Sequence, residues 1–159
     1  MRALDARVET INAEGQARVI PIAELHRLPG DTPQIETTLK AGEIITAVTL
    51  PPPPPGVQIY RKVRDRASYA FALVSVAAVV EAAGGRIRSA RLAFGGLAHK
   101  PWRVPQAEEK LAGTSANANT FNGVADAVLE GARGYGSNDF KIPLTQRTLR
   151  AVLAEATGT

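Results

Sequence analysis

Basic side chains crowd one short stretch of the sequence directly before its longest apolar run. Residues 60–80, YRKVRDRASYAFALVSVAAVV, place Arg61, Lys62, Arg64 and Arg66 ahead of mostly apolar positions. A lysine at the end of a strand can stabilise negative charge on a flat, electron-poor ring, while an apolar side chain of a neighbouring strand packs on the ring face. A flavin has such a ring, and Ile45 is the apolar candidate to pair with Lys62. On these two residues alone, a surface lysine and a core isoleucine are the more frequent outcome.

A second chemistry fits the same stretch. Tyr60, Tyr69 and Phe71 lie among the basic residues, and proteins bind single-stranded nucleic acids through such interleaved aromatic and cationic side chains. The net charge of +4 also favours anionic partners. Strand alternation, however, divides the cations between two faces, with Lys62 on one and Arg61 on the other. A small basic α+β module that docks on protein or nucleic acid is therefore the alternative hypothesis.

The sequence lacks the residues of several common catalytic and metal sites. It has no cysteine, so this chain can form no disulfide, thiolate zinc site or iron–sulfur cluster. His26 and His99 have no metal-ligand spacing, and the glycine pair 95–96 is typical of a strand-ending turn. Glu108 and Glu109 are consecutive and cannot face each other on a helix, so we expect both to be solvated. The longest apolar run is about half of the roughly 20 residues that a transmembrane helix needs.

Alternating apolar and polar residues predict a first sheet within residues 1–50. Residues 3–11 (ALDARVETI) and 16–22 (QARVIPI) flank a turn, and residues 44–50 are a β-branched run that ends at proline. One short helical turn lies between them and is closed by Pro29–Gly30. Because a fold rarely opens inside a strand, we expect further residues upstream of Met1.

Residues 57–96 predict a second sheet, and the remainder predicts helices. Strand candidates at 57–64, 70–82 and 86–96 should form an antiparallel meander with a tight hairpin at AAGG. In the last strand, alternation places Ile87 on the face of Ser89, Arg91 and Ala93. Helices are predicted at 104–113, 117–132 and 143–156 from their apolar spacing. The fold class is α+β, an antiparallel three-stranded sheet covered by a three-helix layer and preceded by a partial α+β segment.

Five consecutive prolines at positions 51–55, followed by Gly56, separate the two predicted sheets. Prolines cannot donate backbone hydrogen bonds to a sheet and favour an extended, stiff conformation. We therefore place a domain boundary there, between residues 1–55 and 56–159. An ordinary long loop is the alternative.

Several blocks of the sequence together resemble a known family. They are IPIAELHRLPGDTPQIETTLKAGEIITAVTLP (20–51), the stretch 60–80, AFGGLAHKPWRVPQAEEKLAG (93–113) and the terminal NDFKIPLTQRTLRAVLAEA (138–156). The family is the FAD-binding (medium) subunit of molybdenum hydroxylases. The chain is most similar to the flavin subunits of the bacterial xanthine dehydrogenase and aldehyde oxidoreductase types, and more distantly to the carbon monoxide dehydrogenase flavoprotein.

This resemblance implies an oxidoreductase subunit within a heterotrimer. A molybdopterin-binding large subunit would oxidise the substrate, a small subunit would carry [2Fe-2S] clusters, and this subunit would pass electrons through FAD to an acceptor. It also implies that the flavin ring lies near Ile45, two residues after the glutamate of the GEI strand, and near Lys62. Arg66 would have a supporting electrostatic role. Neither nucleic acid nor a membrane is an expected partner.

The resemblance covers only the C-terminal half of that subunit. Residues 1–55 resemble the C-terminal part of its second FAD-binding subdomain, and residues 56–159 resemble its complete C-terminal domain. The glycine-rich loops that hold the FAD pyrophosphate in the family have no counterpart in these residues. We therefore expect this chain alone to be inactive and to bind FAD weakly or not at all. The implied location is the cytoplasm, or the periplasm through export with a partner subunit.

Overall fold

The computed structural model describes residues 1–159 and contains two antiparallel three-stranded sheets and four helices. The strands are β1 (Arg7–Ile11), β2 (Ala17–Pro21), β3 (Ile44–Thr49), β4 (Val57–Val63), β5 (Val74–Ala83) and β6 (Arg86–Gly95). The helices are α1 (Ile22–Leu25), α2 (Pro105–Glu109), α3 (Ala118–Val128) and α4 (Lys141–Thr157). This architecture confirms the predicted α+β class. No helix combines the length and the hydrophobicity that crossing a bilayer requires.

The first sheet has the order β2-β1-β3 and covers a small core of its own. Val8 of β1 lies opposite Ile20 of β2 and Val48 of β3, and the short helix α1 closes the same side with Ile22 and Leu25. β3 is an edge strand, and all six of its residues are exposed.

The predicted start of β1 at residue 3 was wrong. Residues Arg2–Leu4 form one 3-10 turn, which ends where Asp5 adopts a left-handed conformation with φ of 52°. Ala3 within this turn is buried because the turn packs against β5 and β6 of the second sheet. The alternating pattern is compatible with a strand, but this distant contact selects the turn.

The second sheet has the order β4-β5-β6, and β5 and β6 form a hairpin. Its turn residues Gly84 and Gly85 both have positive φ, of 59° and 71°, as two-residue hairpins require. One face of the sheet packs against α2, α3 and α4 around the buried Val76 and Phe94. The opposite face, called here the open face, carries none of the helices α1 to α4, and the N-terminal 3-10 turn packs against part of it. The predicted hairpin and the predicted helical cover are both present.

A β-bulge between Glu81 and Ala82 changes which residues of β6 share a face. Ile87 pairs with Ala82, whereas Ser89 pairs with Glu81, so the two lie on different sides of the sheet. Ile87 is fully buried with the helix-facing core, and the predicted grouping of Ile87 with Ser89 was wrong. Simple alternation fails here because one extra residue lies between the two pairs.

The ends of the two long helices follow from local sequence. Asn117 precedes α3, and its side chain accepts a hydrogen bond from the backbone N–H of Thr120 at 3.0 Å. α4 ends at Gly158, which adopts the left-handed conformation with φ of 71°. Both helices then contribute to the main core, α3 through Phe121 and Val124 and α4 through Leu149.

Buried charges connect the N-terminal turn to the second sheet. Arg103 donates hydrogen bonds to the backbone oxygen of Arg2 at 3.1 Å, to Asp5 Oδ1 at 2.6 Å and to both carboxylate oxygens of Glu108. Glu108 Oε1 also accepts a bond from the backbone N–H of Leu92 at 2.7 Å. Glu108 is 8% exposed, so the prediction that it is solvated was wrong.

Candidate functional site

Lys62 lies near the end of β4 on the open face of the second sheet. Its register partner on β5 is Ser75, and the partner of Ser75 on β6 is Gly95. Residues directly opposite one another in an antiparallel sheet point to the same side. The neighbouring row, Arg61 with Val76 and Phe94, contains core residues and therefore lies on the helix face.

The basic stretch is divided by this alternation, as predicted, and only part of it lies near Lys62. Arg61 forms a salt bridge with Glu155 of α4 on the helix side. Lys62 has no carboxylate within salt-bridge distance. β4 ends at Val63, so Arg64 and Arg66 belong to the loop that follows. Arg61 therefore lies on the opposite side of the sheet from Lys62.

An open cavity of about 730 Å³ lies beside Lys62. It is lined by the end of β4 and by the β4–β5 loop, residues 64–73, through Lys62, Asp65, Arg66, Tyr69, Ala70, Phe71, Ala72 and Leu73. Two cations, one carboxylate, two aromatic rings and three aliphatic side chains thus line one space. Such a lining suits a planar ligand that carries negative charge.

The aromatic residues of this loop project into solvent. Tyr69 is 94% exposed and Phe71 is 96% exposed. Tyr69 has a φ of 53°, an uncommon conformation for a side chain of this size. Arg66 supports it, because its guanidinium lies 5.9 Å from the Tyr69 ring and donates a hydrogen bond to the Tyr69 backbone oxygen. The sequence pattern indicated Tyr69 and Phe71 only as candidate nucleic-acid ligands. Their position directly after a lysine-bearing strand is the feature that could have indicated this cavity.

Ile45 lies on the other sheet. It is the second residue of β3, its register partner is Thr10 of β1, and it is 46% exposed. Ile45 does not line the cavity beside Lys62. The structure therefore leaves both predicted residues accessible but does not bring them together around one cavity.

Glu43 anchors the chain directly before β3. Its carboxylate accepts hydrogen bonds from Arg18 Nη2 at 2.6 Å and from the backbone N–H of Lys40 at 2.8 Å, and it also accepts from the Thr10 hydroxyl. The Glu43 side chain is only 3% exposed. These bonds, that of Arg18 foremost, hold the pKa of Glu43 well below its ordinary value of 4.5. The network thereby fixes where Ile45 enters the sheet.

The Glu43 network predicts a pH-dependent stability. Because the pKa of Glu43 is lowered by folding, its contribution is complete above pH 4.5 and declines as the pH falls below that value. We expect Glu43→Gln to lower the urea midpoint of the chain at pH 7 and to differ less from the unmodified chain at pH 3. Glu14→Gln, in an exposed turn, is the matched control and should show no such convergence. If the urea midpoints of Glu43→Gln and the unmodified chain differ by the same amount at pH 7 and pH 3, this assignment is contradicted.

Comparison with known proteins agrees with this architecture. Residues 58–156 match the family model described as the CO dehydrogenase flavoprotein C-terminal domain. The chain is 54% identical over 156 residues to the aldehyde oxidoreductase FAD-binding subunit PaoB of Escherichia coli, an alignment that covers 98% of this chain and 46% of that protein. The chain belongs to this flavoprotein family. The resemblance inferred from the sequence to the medium subunits of molybdenum hydroxylases is thereby confirmed.

More distant members of the flavoprotein family match with lower identity. The nicotine 6-hydroxylase medium subunit of Paenarthrobacter nicotinovorans is 33% identical, over 76% of this chain and 43% of that protein. The glyceraldehyde dehydrogenase medium chain of Sulfolobus acidocaldarius is 28% identical, over 80% of this chain and 43% of that protein. The chain therefore spans slightly less than half the length of these relatives.

Solved structures of such enzymes share the fold of the flavoprotein chain. Quinoline 2-oxidoreductase of Pseudomonas putida 86 superimposes with a TM-score of 0.82 at 24% identity, covering 99% of this chain and 54% of that chain. Reconstituted CO dehydrogenase of Oligotropha carboxidovorans gives a TM-score of 0.83 at 22% identity, covering 99% and 55%. The family match includes Lys62 and the β4–β5 loop, whereas Ile45 lies outside it.

Proposed function

We propose that this chain forms part of the flavin subunit of a molybdenum-containing hydroxylase and helps to hold FAD, which relays electrons from iron–sulfur clusters to an acceptor. The observation that carries the proposal is the unpaired Lys62, which lies beside exposed aromatic rings at an open cavity. The membership of residues 58–156 in the flavoprotein family supports the choice of FAD over other planar anions.

The residues at the cavity fit the ring portion of FAD. Bound FAD accepts electrons into its isoalloxazine ring and passes them on. The Lys62 ammonium would stabilise the negative charge that reduction places on the ring, an interaction of about 1–4 kcal/mol at 4 Å depending on the local dielectric. Tyr69 offers an aromatic face for stacking, and Arg66 fixes the Tyr69 backbone. Ile45 remains a proposed contact of the ring from the first sheet, although it does not line this cavity.

The phosphates of FAD have no corresponding site among the residues of this cavity. None of the residues at the cavity belongs to a glycine-rich loop or to the N-terminus of a helix, the features that commonly bind pyrophosphate. We propose that residues 1–55 and 56–159 are the C-terminal part of a second FAD-binding subdomain and a C-terminal domain. Phosphate contacts would then come from protein that corresponds to the other half of the relatives. The chain by itself would bind FAD weakly and would not turn over substrate.

The proposed partners follow from the same family. A large subunit would bind molybdopterin and oxidise the substrate, and a small subunit would carry [2Fe-2S] clusters. The 54% identity to an aldehyde oxidoreductase subunit favours an aldehyde-oxidising complex over a xanthine-oxidising one. The complex would be located in the cytoplasm, or in the periplasm if a partner subunit directs its export.

Lys62→Ala tests the proposed function. The protein is affinity-tagged and purified with whatever subunits accompany it, and flavin absorbance and reduction potential are measured. Loss of the ammonium should destabilise the reduced ring and lower the flavin potential by about 30 mV or more, which corresponds to about 1.4 kcal/mol for two electrons. The circular dichroism spectrum should not change, because Lys62 is exposed.

Lys110→Ala is the matched control, since Lys110 is exposed and lies outside the cavity. It should leave the flavin potential unchanged. An unchanged potential and turnover in Lys62→Ala would refute the role of Lys62. Purified protein that is colourless and shifts labelled single-stranded DNA in a salt-dependent manner would instead favour the nucleic-acid-binding alternative.

A further inference from the structure

The open face of the second sheet carries a hydroxyl group that has no partner in the chain. Ser75 of β5 is only 7% exposed and lies between its register partners Lys62 and Gly95. Its Oγ forms no hydrogen bond with another group of the protein. Solvent nevertheless reaches this Oγ atom. Among side-chain nitrogen and oxygen atoms without a partner, only His26 Nδ1 is fully enclosed.

The hydroxyl of Ser75 points towards the space above Gly95. A Cβ atom built on Gly95 would lie 2.5 Å from Ser75 Oγ, so the hydroxyl occupies the position where a larger residue would place its side chain. In the next pair on the same face, Ala77 of β5 lies opposite Ala93 of β6, and both side chains are small. With strands about 4.8 Å apart, Lys62, Ser75 and Gly95 span a strip about 10 Å wide on the open face.

Because solvent still reaches Ser75 Oγ, its hydroxyl can bond water in the flavin-free chain and can exchange that water for an acceptor atom of a ligand. The Cβ atoms of directly opposed residues are about 5 Å apart, so one ring system can contact both the Lys62 ammonium and the Ser75 hydroxyl.

We propose that Ser75 is a further cofactor-binding residue, whose hydroxyl donates a hydrogen bond to an oxygen or nitrogen on the polar edge of the flavin ring beside Lys62. This inference rests on the proposed function. Ser75 and Lys62 would together hold one polar edge of a bound flavin ring.

Ser75→Ala separates a ligand-binding role from a structural one. In the purified flavin-containing protein, we expect the dissociation constant for FAD, measured by titrating the flavin-depleted protein, to rise about 3- to 10-fold. In the chain without flavin, the urea midpoint should stay the same, because the Ser75 hydroxyl has no hydrogen-bond partner within the chain. A merely structural hydroxyl would instead lower the midpoint. Ser89→Ala, on the same sheet face but exposed, is the control and should change neither quantity.

Two results would overturn the inference and leave the proposed function intact. The first is unchanged FAD affinity in Ser75→Ala while Lys62→Ala still lowers the flavin potential. The second is a lower urea midpoint for Ser75→Ala in the flavin-free chain, which would assign the hydroxyl to the fold. Absence of flavin from the complex purified with all the subunits that accompany this chain would overturn both proposals together.

Discussion

Replacing Glu108 by alanine is expected to lower the free energy of unfolding by about 3–5 kcal/mol. The carboxylate is nearly enclosed and accepts three hydrogen bonds, two from Arg103 and one from the backbone N–H of Leu92. Its removal leaves the Arg103 side chain, only 9% exposed, without its principal partner. It also leaves the N–H of Leu92 on the edge strand β6 without an acceptor.

Urea denaturation of the chain measures this effect, and Glu109→Ala provides a control on the same helix. Glu109 is exposed, so its replacement should change the free energy of unfolding by less than about 0.5 kcal/mol. The double variant Arg103→Met with Glu108→Ala should lose less stability than the two single changes added together, because neither charge is then left alone. A loss below about 1 kcal/mol for Glu108→Ala would show that the buried ion pair does not hold α2 against β6.

Replacing Gly96 by alanine is expected to lower the free energy of unfolding by about 2–4 kcal/mol and to displace the β4–β5 loop. Gly96 has a φ of 80°, and an added Cβ would lie 2.6 Å from the backbone oxygen of Leu73 at the end of that loop. The Gly96 backbone oxygen also accepts a hydrogen bond from Lys141 at 2.8 Å. Since both sides of this contact are backbone, neither can move without disturbing the second sheet.

Gly113→Ala is the control for backbone strain alone. Gly113 has a similar φ of 77°, but a Cβ there would meet nothing within 4 Å. Gly113→Ala should therefore lower the free energy of unfolding by only about 1–2 kcal/mol. In the flavin-containing protein, Gly96→Ala should also weaken FAD binding, whereas Gly113→Ala should not. Equal destabilisation by the two substitutions would mean that the Leu73 contact adds nothing.

Much of the C-terminal part was predictable because its elements are specified by local patterns. The glycine pair 84–85 determines the hairpin, since only residues that accept positive φ fit that turn. The apolar spacing around Phe121 and Leu149 specifies the buried sides of α3 and α4. Alternation along β4 correctly separated Lys62 from Arg61. These features depend on residues within a few positions of one another.

The errors occurred where a distant contact decides the outcome. From the sequence, Glu108 resembles a surface residue of a short helix. It is buried because its carboxylate accepts hydrogen bonds from Arg103 and from the backbone of β6. Residues 2–4 fit a strand pattern, but their contact with the second sheet forms a turn. Arg61 belongs to a basic stretch, yet its partner Glu155 is 94 positions away in the sequence.

The α+β class, the family and the lysine that is proposed to face a flavin could all be predicted from the amino-acid sequence. The tertiary structure alone decided which side of the sheet that lysine shares with Ser75 and Gly95, and that Ile45 lies on a separate sheet. The physical reason is that backbone preference and side-chain periodicity act along the chain. Strand register, bulges and buried ion pairs arise only when segments distant in sequence come into contact.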